Sequence, residues 1–375
     1  MMSRMREQDR KEINNVIRDI ITQNPEPLRL RVIRSNIAYA ARGAIFRRLS
    51  QCENDKYVDW VERALRIPLG KFSTPKKKDH KSMIRRAQTI MDDAITGHRD
   101  AKTAVLHMIC GWLRNGAGGG FSLALEGEPG TGKTTFVKDA LAKCVDRPFF
   151  FIGLGGANDA SSLVGHSYTY EGAIPGRIAE CVTEAGVMDP VIFFDELDKV
   201  STTAKGAEII HTLIHLVDPT QNTHIRDKYF HGIDLDMSRA IMVFSYNDAS
   251  RVDPVLLDRL KRVRMNAPTL EQKCEITRKH LFPRLLSRLA MHMEIPDDII
   301  LLIVKRHMHE VGMRGVEKSV NAIVSSLALA QMYGDVSILG DAFKEATLTR
   351  QFVNAVMETD DHLRGNSPPP CLMYA

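Results

Sequence analysis

Phe121-Ser122-Leu123-Ala124-Leu125-Glu126-Gly127-Glu128-Pro129-Gly130-Thr131-Gly132-Lys133-Thr134 is the stretch that decides the fold. An apolar, strand-like run leads into residues 127–134, which fit G-x-x-x-x-G-K-[ST], and a helical pattern follows over 134–143. Glycines let backbone N–H groups turn inward around phosphates, and a helix N-terminus adds partial positive charge. In such a loop Lys133 bridges the β- and γ-phosphates, and the Thr134 hydroxyl is placed to ligate Mg²⁺. Gly127, Glu128, Pro129, Gly130, Thr131, Gly132, Lys133 and Thr134 are therefore the expected nucleotide-binding residues. A merely structural glycine turn would not need the strand before it and the helix after it.

A second part of the same site lies downstream. Val191-Ile192-Phe193-Phe194-Asp195-Glu196 reads as a buried strand ending in two carboxylates. Asp195 fits the Mg²⁺-associated acid of phosphate-loop nucleotidases. Glu196 is placed to polarise a water that attacks the γ-phosphate. Short apolar runs at 122–125, 149–152, 191–194, 240–244 and 262–265 alternate with helical segments, which implies βαβ units and a mainly parallel sheet. Before the sheet, helical periodicity marks 8–22, 30–49 and 57–65, then two helices over 82–114 broken near Gly97. After Pro268 the pattern is helical to about residue 347, and 366–370 form a loose tail. The expected fold is α/β, with a helical N-terminal region (1–81), an α/β nucleotide-binding domain (82–267), a small all-α lid (268–347) and a terminal segment (348–375).

Composition excludes several classes. Of 375 residues, 44% are apolar and 26% charged, which fits an ordinary globular chain. The longest purely apolar run is the six residues 299–304, against the roughly 18 a spanning helix needs, so no membrane association is expected. The six cysteines form no Cys-x-x-Cys pair, which points to a cytoplasmic or other reduced intracellular compartment. The net charge of +5 is concentrated: residues 1–50 carry eleven Lys/Arg against five Asp/Glu, and lysines recur at 76–78 and 81. A solvated basic face is the ordinary reading of such a segment, and nucleic acid is the alternative partner.

Further motifs extend the pattern. They are Asp195-Glu196-Leu197-Asp198-Lys199, Gly155-Gly156, Gly165-His166 with Thr169-Tyr170 and Pro175-Gly176, and Leu216-Val217-Asp218-Pro219-Thr220-Gln221-Asn222. Leu256-Leu257-Asp258-Arg259 and Gly312-Met313-Arg314-Gly315-Val316-Glu317 follow. Together with Tyr57-Val58-Asp59-Trp60, and over about residues 57–345, the chain resembles the AAA+ class of ATPases, in particular the ATPase module of Lon proteases. The resemblance implies a phosphate-loop AAA+ core with a helical lid, ATP and Mg²⁺ as cofactors, and a self-assembled ring, a hexamer by the family's habit. It implies that Asn247 orients water at the γ-phosphate and that Arg259 reaches a neighbouring subunit's nucleotide. It also implies that Arg314 couples the lid to nucleotide state, and that Tyr170 grips an unfolded polypeptide in the pore, with Glu171 beside it.

The chain also departs from that pattern. Glu171 stands where the family prefers an aliphatic residue, Tyr168 adds a second ring nearby, and Glu128 replaces the commoner proline. No serine after Arg314 sits in a Gly-Asp-Ser-Ala-Gly setting, and about a hundred basic helical residues stand in place of the large N-terminal substrate domain. The expectation is a Mg²⁺-dependent ATPase that unfolds or remodels polypeptide, a chaperone-like motor, with any cleavage left to a separate peptidase chain. The alternative is a nucleic-acid remodeller or loader using the basic N-terminal region. His211 and His215 lack the Glu of a zinc-protease helix, and His307 and His309 cannot share a helical face.

Overall fold

The computed structural model describes residues 27–51, 55–73, 80–115, 119–157, 159–333 and 348–363. The helix expected over 8–22, most of the 76–81 lysine run and the 366–370 tail lie outside them. Seven strands run through the described residues: β1 (Phe121–Glu126), β2 (Phe149–Gly153), β3 (Val191–Asp195), β4 (Ile225–Arg226), β5 (Asp234–Leu235), β6 (Ile241–Tyr246) and β7 (Lys261–Arg264). The chain divides into two compact units. One takes in 1–73, 159–190 and 218–239; the other takes in 74–158, 191–217 and 240–375.

The larger unit holds a five-stranded, wholly parallel sheet in the order β2-β3-β6-β1-β7. Parallel strands feed back through helices, and the faces they cover are dry: every residue of β6 and the first four of β3 are buried. On one face Leu123, Leu125, Phe193 and Val243 pack against the helices His80–Ala94, Arg99–Asn115 and the helical run 133–145. The first two of these helices part at Gly97, whose φ is +80°. The 133–145 run starts as Lys133–Thr135, widens to π-helical turns over Phe136–Leu141 and closes as Ala142–Val145. Beyond β7 a second core forms among the helices Leu270–Ile276, Phe282–Arg288, Asp297–Arg306, Arg314–Tyr333 and Arg350–Leu363, around Phe282, Ile303, Val320 and Phe352. Thr269 and Gln272 bond each other's backbone at its entry, a capping box that starts the first of these helices.

Register decides what the sheet presents. Phe121↔Ile241 through Glu126↔Tyr246 pair β1 with β6, and Val191↔Ile241 through Phe194↔Phe244 pair β3 with β6. Because the strands are parallel, their carboxyl ends emerge at one edge, carrying the residues that follow Glu126, Phe194 and Tyr246. Ligands in open α/β sheets bind outside such an edge, where neighbouring strands are not consecutive in the chain.

In the smaller unit, Tyr57, Trp60, Val61 and Ala64 are buried at helical spacing along Asp55–Arg66. The Trp60 ring stacks on Tyr57 at 5.6 Å and lies 5.7 Å from Tyr168, and its indole N–H donates to Tyr229 O at 2.6 Å. The Arg48 guanidinium sits 4.4 Å from the Tyr57 ring centre and 5.5 Å from that of Tyr168. Two details differ from the sequence reading. The single helix expected over 30–49 is two, Leu28–Arg34 and Tyr39–Gln51, because Ser35 turns back on Val32 O through both its amide and its hydroxyl. The β4–β5 ribbon, two residues per strand, is too short to leave a periodic signal.

Candidate active site

The phosphate loop leaves β1 with its backbone fixed on both sides. Gly127 N–H donates to Tyr246 O at 3.2 Å, and Met265 N–H donates to Glu126 O at 2.7 Å. Gly130 and Gly132 adopt φ of +79° and +92°, which L side chains rarely accept. At Gly127 space forbids a side chain as well, since a Cβ would lie 2.6 Å from Met265 O; at Gly130 a Cβ would crowd Arg314 Cγ at 3.1 Å. The result is a concave run of backbone ending at a helix N-terminus, a shape suited to phosphate.

The charged groups converge from other strands. Lys133 Nζ donates to Asn247 Oδ1 at 2.8 Å and to Gly127 O. Burial pushes the Lys133 ammonium down from its usual range and Arg314 pushes the same way, while Asp195, Asp198 and Glu128 pull it back. Asp195, the last residue of β3, accepts from the Ser245 hydroxyl of neighbouring β6. Glu196 takes up φ of +62°, a left-handed conformation that costs a non-glycine residue roughly 1–2 kcal/mol. Its carboxylate pairs with Lys199 and rests against Gly155, where a Cβ would overlap it. Asp198 is 5% exposed; its Oδ2 accepts the backbone N–H groups of Asn247 at 3.2 Å and Asp248 at 3.3 Å.

Lys133, Asp195, Glu196, Asn247 and Arg314 thus line one cavity of about 770 Å³, bounded on its apolar side by Ile95 and Ile276. His98 lines it too and hydrogen-bonds the Thr131 backbone; burial holds its imidazole below the usual range. Arg314 reaches the loop from the all-helical end, where Met313 N–H donates to Gly130 O at 3.0 Å. Arg259 is not among the cavity residues. It caps the helix Pro254–Asp258, exposed, with Nη1 donating to Val255 O at 3.1 Å.

The donors fit the groups the sequence implies. Thr134 and Asp195 offer oxygen ligands of the kind Mg²⁺ takes, with Ser245 orienting the carboxylate from behind, and the glycine cradle fits phosphate. Sequence reasoning gave no role to Ser245, Asp198, Lys199, Gly155 or His98. Asp198 and Lys199 stand inside a quoted motif, but their partners are 49 residues away or depend on the left-handed turn at Glu196, which no local pattern announces.

In the smaller unit, Tyr170 and Glu171 lie on the loop between Gly165 and Gly176. The ring of Tyr170 is 68% exposed, whereas Tyr168 packs on Trp60. Lys56 Nζ donates to Tyr170 O at 2.9 Å. The neck of the loop closes on the buried Asp227, which accepts N–H groups from Gly176 at 2.8 Å and Tyr229 at 2.8 Å. Burial pushes the Asp227 carboxyl up to about 6, against the downward pull of these N–H groups. A proton held more tightly in the folded state stabilises it fully below about pH 4, and that stability is lost as pH rises through about 6. A shift of this size corresponds to about 3 kcal/mol. Carboxyl ¹³C NMR should find an Asp227 midpoint near 6; a midpoint near 4 would show that the N–H groups cancel the effect of burial.

Residues 123–267 match the family described as ATPase family associated with various cellular activities (AAA). The chain is 34% identical over 247 residues to a Lon protease homolog of Acanthamoeba polyphaga mimivirus, covering 65% of this chain and 24% of that protein. It is 33% identical over 276 residues to Lon protease 1 of Syntrophotalea carbinolica, covering 73% of this chain and 33% of the relative. It therefore spans a quarter to a third of the length of these curated relatives. A solved structure of a Thermotoga maritima RuvB mutant overlays 71% of each chain at 16% identity, with a TM-score of 0.49. No helix among the described residues is long and apolar enough to cross a membrane. With the parallel sheet, the glycine cradle and the acid pair in place, the chain carries an AAA-family ATPase domain related to that of Lon proteases.

Proposed function

We propose that this chain is a ring-forming motor that hydrolyses ATP with Mg²⁺ to unfold or remodel polypeptide. The observation that carries the reading is the convergence of Lys133, Asp195, Glu196, Asn247 and Arg314 on one cavity, while Arg259 stands exposed outside it. Lys133 and the 127–134 backbone hold the phosphates. Thr134 and Asp195 are the residues that would hold Mg²⁺, which when bound offsets charge on the phosphate oxygens. Glu196 accepts a proton from water as the water oxygen bonds to the γ-phosphorus and the bond to the β-phosphate oxygen breaks, releasing ADP. Asn247, tied to Lys133 and fixed from behind by Asp198, orients that water. Arg314 contacts the phosphates from the lid and Arg259 acts on a neighbouring subunit, which is why the site is complete only in a ring.

The exposed ring of Tyr170, braced at its carbonyl by Lys56, supports a polypeptide substrate, since an aromatic surface presses on any side chain by apolar contact. Cys110, Cys144, Cys181 and Cys274 are free thiols, in keeping with a reduced intracellular compartment such as the cytoplasm. The test is ATPase rate per chain against protein concentration, with casein or with DNA or RNA added. A rate that climbs with both concentration and casein is expected. A rate indifferent to casein and raised by nucleic acid would move the protein to the loader class; a rate independent of concentration would remove the ring.

A further inference from the structure

The segment that delivers Arg314 is held by a cluster outside the residues assigned so far. Glu310 turns its carboxylate back on the start of the Arg314–Tyr333 helix, where Oε2 accepts the Gly315 N–H at 2.9 Å. Its other oxygen meets His307 Nδ1 at 2.8 Å, and His307 Nε2 meets the hydroxyl of the buried Ser319, one helical turn further on, also at 2.8 Å. Lys273, 4% exposed, donates from Nζ to Glu310 O at 2.5 Å and to His307 O at 3.4 Å. Burial raises the Glu310 carboxyl, but His307, the Gly315 N–H and Lys273 together hold it below its ordinary range. Position 315 is confined accordingly, since a Cβ there would overlap the Glu310 carboxylate.

Arg314 is thus fixed on both sides. The preceding residue bonds the phosphate loop through Met313 N–H to Gly130 O, and the following residue bonds Glu310. A free helix N-terminus leaves its first N–H groups unsatisfied and frays. Here one of them is taken by a carboxylate that is itself oriented by an imidazole, so the starting residue cannot swing away from the loop. The guanidinium rides on that backbone, and small displacements of a contacting group cost large factors in binding and rate.

We propose that Glu310, oriented by His307, is a positioning residue for ATP hydrolysis: it clamps the first turn of the lid helix at Gly315 and thereby holds Arg314 against the phosphate loop. The inference rests on the reading of Arg314 as a phosphate-contacting residue. ATP dissociation constants are measured by titration with a fluorescent ATP analogue for Glu310→Ala, Gly315→Ala, Arg314→Ala and the double variant Glu310→Ala/Arg314→Ala. Gly315→Ala raises helix propensity, and the atoms nearest its Cβ are those of the Glu310 carboxylate, so it serves if Glu310→Ala folds poorly.

Arg314→Ala is expected to weaken ATP binding about tenfold or more, the range of hydrogen bonds to charged groups. Glu310→Ala and Gly315→Ala should each weaken it about three- to tenfold, and Glu310→Ala should add less than twofold once Arg314 is gone. Glu310→Gln, which retains an acceptor for Gly315 N–H, should restore affinity to near wild type. If Arg314→Ala weakens binding and neither clamp variant does, the clamp alone is wrong. Full additivity in the double variant would reduce Glu310 to a structural role and overturn the proposal. An unchanged affinity in Arg314→Ala would remove the reading of Arg314 and the clamp with it.

Discussion

Lys133→Ala should abolish ATP binding at micromolar nucleotide and leave turnover at background. Two losses combine. The ammonium that faces the phosphates disappears, and hydrogen bonds to charged groups contribute about 1.5–3 kcal/mol each, so one such contact is worth roughly 10- to 150-fold. Lys133 also ties Gly127 O to Asn247 Oδ1 across neighbouring strands, so its removal frees the amide that orients water. The ammonium is half-buried and already pushed down from its ordinary range, so a phosphate that enters the cavity replaces solvent the side chain has lost. Isothermal titration with ATP checks this, and a dissociation constant within threefold of wild type would take the phosphate-binding role away from the 127–134 loop. Melting temperature should change little, since the alanine keeps the helix that begins at Lys133.

Glu196→Gln should separate binding from chemistry. The glutamine keeps the size of the side chain and occupies the same left-handed backbone position, but it cannot accept the proton of the attacking water. Positioned general bases contribute about 10²- to 10⁴-fold, so kcat should fall by that factor while ATP affinity stays within a few-fold. The nucleotide recovered from the protein after incubation should then be ATP rather than ADP. Normal turnover in this variant would show that another group accepts the proton. The Lys199 pairing adds a second expectation: with a neutral amide at 196 the ion pair is lost, and because both side chains are more than a third exposed the loss should barely alter stability.

Much of this site is legible along the chain because its physics is local. L side chains rarely accept the backbone of residues 130 and 132, so the loop leaves a glycine-rich composition at fixed spacing. An apolar run ending in Asp195-Glu196 is likewise local, as is the alternation of strand and helix that requires a parallel sheet. Other features leave no such trace. Ser245 behind Asp195 is a matter of which strand lies beside β3, and β6 lies there although it follows by 45 residues. Asp198 under the 247–248 turn and His98 on Thr131 are set by neighbours that a short window does not contain, and Lys199 meets Glu196 across a left-handed turn that no local pattern announces.

The same division runs through the helices. A buried face at 57, 60, 61 and 64 declares the Asp55–Arg66 helix, but nothing in its spacing announces that Trp60 donates to Tyr229 or that Arg48 lies over two rings. The phosphate loop, the acid pair and the α/β class are written along the chain, because backbone dihedrals and hydrophobic periodicity are properties of neighbouring residues. That Lys133 meets Asn247, that Arg314 enters the cavity and that Arg259 stays outside it emerge only in three dimensions. Those facts depend on strand order, register and the docking of one helix on a distant loop, and such pairings are selected by the packing of the whole core rather than by any one segment.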